Sequence, residues 1–108
     1  MNVEIHPHEA QALLDTGGAV ALDVREPWEW QQGRIREALH IPLGELADRL
    51  HELPQGRQIV AVCRSGSRSG SIVAPLRQLG YDIVNLAGGL HAWHAQQLPL
   101  DPATGRVA

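Results

Sequence analysis

One stretch of the 108-residue chain constrains its fold more than any other: Ile59 to Leu79, which reads I-V-A-V-C-R-S-G-S-R-S-G-S-I-V-A-P-L-R-Q-L. Ile59-Val60-Ala61-Val62 is short, apolar and mostly β-branched, and the preceding Pro54-Gln55-Gly56-Arg57 has turn composition. A central parallel strand, covered on both faces, reads this way. From Cys63 to Gly70 every residue is small, polar or cationic. Ile72, Val73, Leu76 and Leu79 then recur at helical spacing until Gly80 stops the helix. The predicted unit is strand, loop, helix. Pro75 falls inside the helix, where it lacks an N–H and crowds the carbonyl of Ser71, so a kink is expected.

This order puts the chain's single cysteine at the carboxyl end of a strand and just before a helix amino terminus, where open α/β sheets place their ligands. Loop N–H groups that converge, a helix dipole and two permanent cations, Arg64 and Arg68, all favour an anion there. The same features lower a thiol's pKa and make it a nucleophile. The ordinary alternative is that Cys63 is a small core residue at a strand end. An inert core cysteine does not require the two arginines, two glycines and three serines that follow it.

Composition bounds the rest. A chain of this length suits one domain, here 1–108, with a core expected over about 3–98 and a tail over 99–108. All nine cations are arginine and the net charge is −3, so no broad basic surface for nucleic acid or anionic membrane is implied. The stretch Met1 to Ile5 lacks the cationic and apolar regions of a secretory signal, and no apolar run approaches membrane-spanning length. A lone cysteine forms no internal disulfide, so a reducing cytoplasm is the expected compartment. A monomer or weak dimer is expected.

In chain order, Val3 to Ile5 reads as a strand, and Pro7 opens a helix with Ala10, Leu13 and Leu14 on its buried face. Thr16-Gly17-Gly18 ends it. Ala19 to Leu22 is a second buried strand, delivering Asp23, Arg25 and Glu26 to the same rim as Cys63. Arg25 has two readings: a contact on the active-site rim, or an ion pair with Asp23 or Glu26 that holds the strand exit. Trp28 and Trp30 are both read as core residues. A short strand follows at His40-Ile41, then a helix whose face is Leu43, Leu46, Ala47 and Leu50. Tyr81 to Asn85 reads as a fifth strand, Gly88-Gly89 as a tight turn and Leu90 to Gln97 as a last helix. Asp101 to Ala108 carries no core signal. Strands alternating with helices imply a mostly parallel sheet with helices on both faces.

Several segments in the right order resemble the rhodanese sulfurtransferase family. Cys63-Arg64-Ser65-Gly66-Ser67-Arg68-Ser69 is similar to its active-site loop. Leu22-Asp23-Val24-Arg25-Glu26 with Trp28-Glu29-Trp30, Ala38-Leu39-His40-Ile41-Pro42, and Asn85-Leu86-Ala87-Gly88-Gly89 with Trp93 match further segments. The resemblance runs from about Ile5 to Leu98. It implies a five-stranded sheet in the order 1-5-4-2-3. It also implies a catalytic Cys63, with Arg64, Ser65, Gly66, Ser67 and Arg68 binding the substrate. Where the family often has Gly-His-Ile and then Gly-Ala, this chain has Gly33-Arg34-Ile35 and Glu37-Ala38. His40 stands where asparagine is common.

The implied reaction moves a sulfane sulfur from thiosulfate or a similar small anionic donor to cyanide, a thiol or a protein cysteine, through a Cys63 persulfide and with no cofactor. Two alternatives stand beside it. A cysteine phosphatase or arsenate reductase uses a cradle one residue longer than the four residues between Cys63 and Arg68. A non-catalytic binding module with the same fold has no need of Cys63 with both arginines. His91 and His94 lie three apart on a helix, with His6 and His8 elsewhere, but no carboxylate stands at ligand spacing, so no metal is expected. No histidine neighbours Cys63 in sequence to act as its base, and the loop's cations and dipole suffice to ionise the thiol.

Overall fold

The computed structural model describes residues 3–108. Met1 and Asn2, part of the amino-terminal stretch read above for export signals, lie outside the described residues. In order, the elements are β1 (Glu4–Ile5), α1 (Pro7–Asp15), β2 (Ala19–Asp23), α2 (Pro27–Gln32), β3 (Leu39–His40), a 3₁₀ segment (Leu43–Glu52), β4 (Gln58–Val62), α3 (Ser67–Gln78), β5 (Ile83–Leu86) and α4 (Gly89–Ala95). The five strands form one sheet in the order β1-β5-β4-β2-β3, and every pair is parallel. No helix among the described residues is long and apolar enough to cross a membrane.

Strand alternation sorts β4 between two cores. Val60 and Val62 join Ala19, Ala21, Val84, Leu90 and Trp93 on the side of α1 and α4. Ile59, Ala61 and Cys63 join Leu22, Ile72, Val73 and Leu76 on the side of α3. Successive side chains of a strand point to opposite faces, so the period of two carries Cys63 onto the α3 side one residue beyond the strand's end. Ile59, Val60 and Ala61 are fully buried, and each large aliphatic among them contributes about 1.5–3 kcal/mol. The strand that carries the cysteine is therefore firmly held.

Several expectations are corrected. The segment behind Pro42 is 3₁₀ and not α-helical, with a break at Arg49 (φ −123°, ψ 19°). Three residues per turn align Leu43 with Leu46 and swing Ala47 out to solvent. Leu79 is the C-cap of α3 and is exposed. Pro75 lies inside α3, in its third turn, as the sequence placed it.

The tail is not outside the core. Leu98 and Leu100 are buried and Val107 packs beside them, because an extended segment presents alternate residues to the same side. An antiparallel bridge between Arg34 and Asp101 and a bond from Arg106 N–H to the Gln32 carbonyl fasten this stretch to α2 and the turn after it.

The two tryptophans also differ from expectation. Trp28 is exposed, because in the six-residue α2 the buried position goes to Glu29. Trp30 is half-buried and stacks on His40 at 4.5 Å between centroids and 7° between planes. The Arg34 guanidinium lies 5.0 Å from the Trp30 ring centroid. His40 Nε2 also lies 2.8 Å from the Arg25 carbonyl, so the histidine at this position ties β3 to the exit of β2.

Candidate active site

Cys63 leaves β4 and the chain turns at once into the amino terminus of α3. Gly66 is the hinge of that turn. Its φ of 98° is left-handed, which glycine adopts without the steric cost a Cβ brings, and its N–H points back at Cys63 Sγ at 3.1 Å. Ser69 Oγ lies 3.3 Å from the same sulfur. Burial pushes the Cys63 thiol up, but hydrogen bonds from Ser69, by hydroxyl and N–H, and from the Gly66 and Ser65 N–H groups more than offset it. The thiol is left below its ordinary value. The twelve-residue α3 adds its dipole behind these donors.

The loop is seated from the other side by α4. Leu90 N–H donates to the Cys63 carbonyl and His91 N–H to the Arg64 carbonyl, both at 2.9 Å. Gly89 permits this approach, since a Cβ there would stand 2.5 Å from the Arg64 oxygen. Carbonyls that would otherwise point into the cradle are thus turned outward onto a helix amino terminus.

The two loop arginines have different surroundings. Arg68 donates through Nη1 and Nη2 to the two oxygens of Glu29, at 2.7 and 2.8 Å. Its guanidinium is committed to a carboxylate, so its role is to brace α3 against α2. Arg64 is exposed, and its Nε donates to the Ala108 carbonyl at 2.8 Å. Among the described residues no Asp or Glu side chain lies in ion-pair range of Arg64. Ser65 and Ser67 flank Gly66 on the same turn.

Arg25 is not on the rim. It is fully buried, gripping the Asp23 carboxylate through Nε and Nη2 and donating to the Glu29 and Gly33 carbonyls. The ion pair foreseen as its alternative role is the one present, and it pins the start of α2 to the end of β2. Among the described residues no three or more His, Cys, Asp or Glu side chains converge as metal ligands.

Three residues of the site were not singled out from sequence. Glu29 is 3% exposed and neutralises Arg68, which with help from the Glu26 backbone holds its carboxyl below the usual glutamate range against the opposing effect of burial. Ser69 contacts the sulfur, and Asn85 on β5 bonds Ser69 Oγ at 2.6 Å and the Gly66 carbonyl at 2.9 Å. One signal for Asn85 was present: a lone amide in the apolar strand Ile83-Val84-Asn85-Leu86. A surface cavity of about 780 Å³ lies elsewhere, beside Leu14, Ile35, Trp93 and Leu100, and includes no loop residue.

Comparison with known proteins agrees with this geometry. The rhodanese-like domain model matches residues 6–96. A sulfurtransferase of Allochromatium vinosum is 41% identical over 92 residues, covering 84% of this chain and 86% of the relative. A thiosulfate sulfurtransferase of Pseudomonas syringae is 34% identical over 90 residues, covering 82% and 84%. The crystal structure of a rhodanese-related protein from Thermoplasma volcanium superposes with a TM-score of 0.85 at 31% identity, covering 90% of this chain and 95% of that one. With the loop, the strand order and these relatives in agreement, the chain belongs to the rhodanese-like domain family, whose sulfurtransferase members support sulfur transfer as its chemistry.

Proposed function

We propose that the chain takes a sulfane sulfur from thiosulfate or a similar small anionic donor and passes it to a thiophilic acceptor through a persulfide on Cys63. One observation carries this reading: a thiol lowered by converging hydrogen bonds stands beside Arg64, an exposed cation with no Asp or Glu side-chain partner among the described residues.

In the first half-reaction the Cys63 thiolate attacks the outer sulfur of the donor. The donor's S–S bond breaks and its electron pair leaves with sulfite. Arg64 faces the sulfite oxygens, and the loop N–H groups take up the charge that settles on the new outer sulfur. In the second half-reaction an acceptor such as cyanide, a small thiol or a protein cysteine attacks that outer sulfur. The electron pair of the persulfide bond returns to Cys63 as thiolate. Bonds and charges balance without an external oxidant.

The burial of Cys63 fits this cycle. Cys63 is 1% exposed, while a persulfide places the transferable atom about 2.05 Å beyond Sγ. An acceptor then reaches the outer sulfur without entering the core.

Intact mass spectrometry before and after thiosulfate treatment tests the proposal. One sulfur atom should be gained, cyanide should remove it, and Cys63→Ser should gain none while remaining folded. Cysteine-dependent hydrolysis of aryl phosphates with no sulfur gain would overturn the assignment in favour of a phosphatase.

A further inference from the structure

Asn85 lies 4% exposed on β5, and its amide is surrounded in a way that fixes its orientation. Nδ2 faces the Gly66 carbonyl at 2.9 Å and Glu4 Oε2 at 3.3 Å, both of them acceptors. A Cβ at Gly70 would stand 3.2 Å from the same Nδ2, so the amide is closely seated. With the nitrogen on the acceptors, Oδ1 must face Ser69 Oγ, which lies 2.6 Å away. An amide oxygen only accepts. The single proton of the Ser69 hydroxyl is therefore contested by two acceptors, Asn85 Oδ1 at 2.6 Å and Cys63 Sγ at 3.3 Å, and the shorter contact takes it while the cysteine is protonated, leaving a lone pair of Oγ toward the sulfur.

That arrangement suits a cysteine that carries either a proton or a second sulfur. A thiol S–H donates to Ser69 Oγ, and a persulfide leaves no charge on the inner sulfur. A bare thiolate is different, because it draws the Ser69 proton. The hydroxyl then rotates about its Cβ–Oγ bond and leaves Asn85 Oδ1 buried without a donor.

We propose that Asn85 is a positioning residue that acts through Ser69, holding the Ser69 proton away from Cys63 and so favouring the protonated and persulfidated states over the bare thiolate. This rests on Cys63 as the nucleophile, but the tests below read the thiol directly and need no sulfur donor. The unloaded enzyme is kept from resting as a fully stabilised thiolate. The loaded state, in which Ser69 and Asn85 both keep their bond, is correspondingly preferred.

The test is the rate of iodoacetamide alkylation of Cys63 against pH in a double-mutant cycle. Asn85→Leu removes the competing acceptor at similar volume. At a pH well below the midpoint it should raise the alkylation rate about three- to tenfold, the worth of one neutral hydrogen bond. In a Ser69→Ala background the same substitution should change the rate by less than about twofold. The charged and titratable groups around Cys63 are Arg64 in the loop, Arg68 on α3, Glu29 on α2, Asp23 on β2, Glu4 on β1 and His91 on α4. They are common to both backgrounds and cancel in the cycle. An unchanged or slower rate in Asn85→Leu would overturn the proposal. So would an equal change with and without Ser69, which would assign the effect to the Gly66 contact.

A measurement on the unmodified side chains keeps the proposal falsifiable if Asn85→Leu and the smaller Asn85→Val both fail to fold. The Asn85 side-chain amide resonances of the wild-type chain should shift with the same midpoint as Cys63 alkylation, and should stop shifting in Ser69→Ala. Resonances that are static through the Cys63 titration, or that move equally in Ser69→Ala, would overturn it.

Discussion

Arg68 and Glu29, 39 residues apart in sequence, form a two-pronged pair in which the carboxylate is buried and the guanidinium is about one-third exposed. Glu29 also accepts from the Glu26 N–H at 3.0 Å, closing the capping box of α2. One side chain thus fixes the start of α2 and the start of α3. The loop between Cys63 and α3 is held at the far end by this pair.

The pair predicts a stability defect when it is broken. Glu29→Gln keeps shape but removes the charge, and charge-assisted bonds are worth about 1.5–3 kcal/mol. Partial exposure of Arg68 screens the interaction, so the expected loss is about 1–2 kcal/mol. Acid unfolding adds a check of sign. The Glu29 carboxyl lies below its usual range when folded, so its stabilisation is complete above the ordinary glutamate pKa and is lost as pH falls through the folded value. Denaturant midpoints measured from neutral pH to about pH 3 should converge for wild type and Glu29→Gln at the acid end. A constant gap would mean that the pair is not the source of the difference.

A second prediction concerns Glu37, which has a φ of 64° at the third position of a turn closed by Ala38 N–H on the Ile35 carbonyl. That position favours glycine. The left-handed conformation costs a residue with a Cβ roughly 1–2 kcal/mol, and glycine returns about 0.5–1 of that through unfolded-chain entropy. Glu37→Gly should therefore stabilise the chain by about 0.5–1 kcal/mol and raise Tm by about 3–6 °C. A calorimetric Tm at or below that of wild type would refute the strain.

The two positions show what a sequence makes legible here. Cys63, Arg64 and Gly66 lie within four residues, so strand pattern, loop composition and helix start announce the site locally. Glu29 and Asn85 reach it only through tertiary register. Pairing of Ala61 with Asn85 carries the amide to the loop, and packing of α2 against α3 carries the carboxylate to Arg68. Neither register is written in a local period. The exposed Trp28 and the buried Leu100 were misread for a related reason: a six-residue helix and an extended tail are too short for periodicity to say which side faces the core.

Burial of the cysteine predicts selectivity by size. With Cys63 at 1% exposure, iodoacetamide should label it far faster than a bulky aromatic disulfide, relative to the same two reagents on free cysteine. Because hydrogen bonds lower the thiol, labelling should set in at lower pH than for an ordinary thiol, and Ser69→Ala, which removes one donor, should move the onset upward. Equal relative rates for the two reagents, measured by stopped mass spectrometry, would show that the loop opens more widely than its hydrogen bonds allow.

The last prediction separates the arginines. Arg64 has no Asp or Glu side-chain partner among the described residues, whereas Arg68 is neutralised by Glu29. Arg64→Gln should remove a charge-assisted bond from the transition state, lowering kcat/KM for thiosulfate about 10- to 100-fold while leaving Tm nearly unchanged. Arg64→Lys should recover part of that loss, since charge is kept and the planar fork is not. Arg68→Gln should cost Tm as well as rate, because it leaves the buried Glu29 without its partner. A probe without sulfur chemistry checks the charge directly. The ratio of alkylation rates for iodoacetate over iodoacetamide should exceed that of free cysteine in wild type and fall in Arg64→Gln, whereas Glu29→Gln, which strips the neutralising partner from Arg68, should raise it. Were Arg64→Gln to leave both the ratio and the thiosulfate rate unchanged, the backbone N–H groups alone would hold the anion and Arg64 would have no part in binding it.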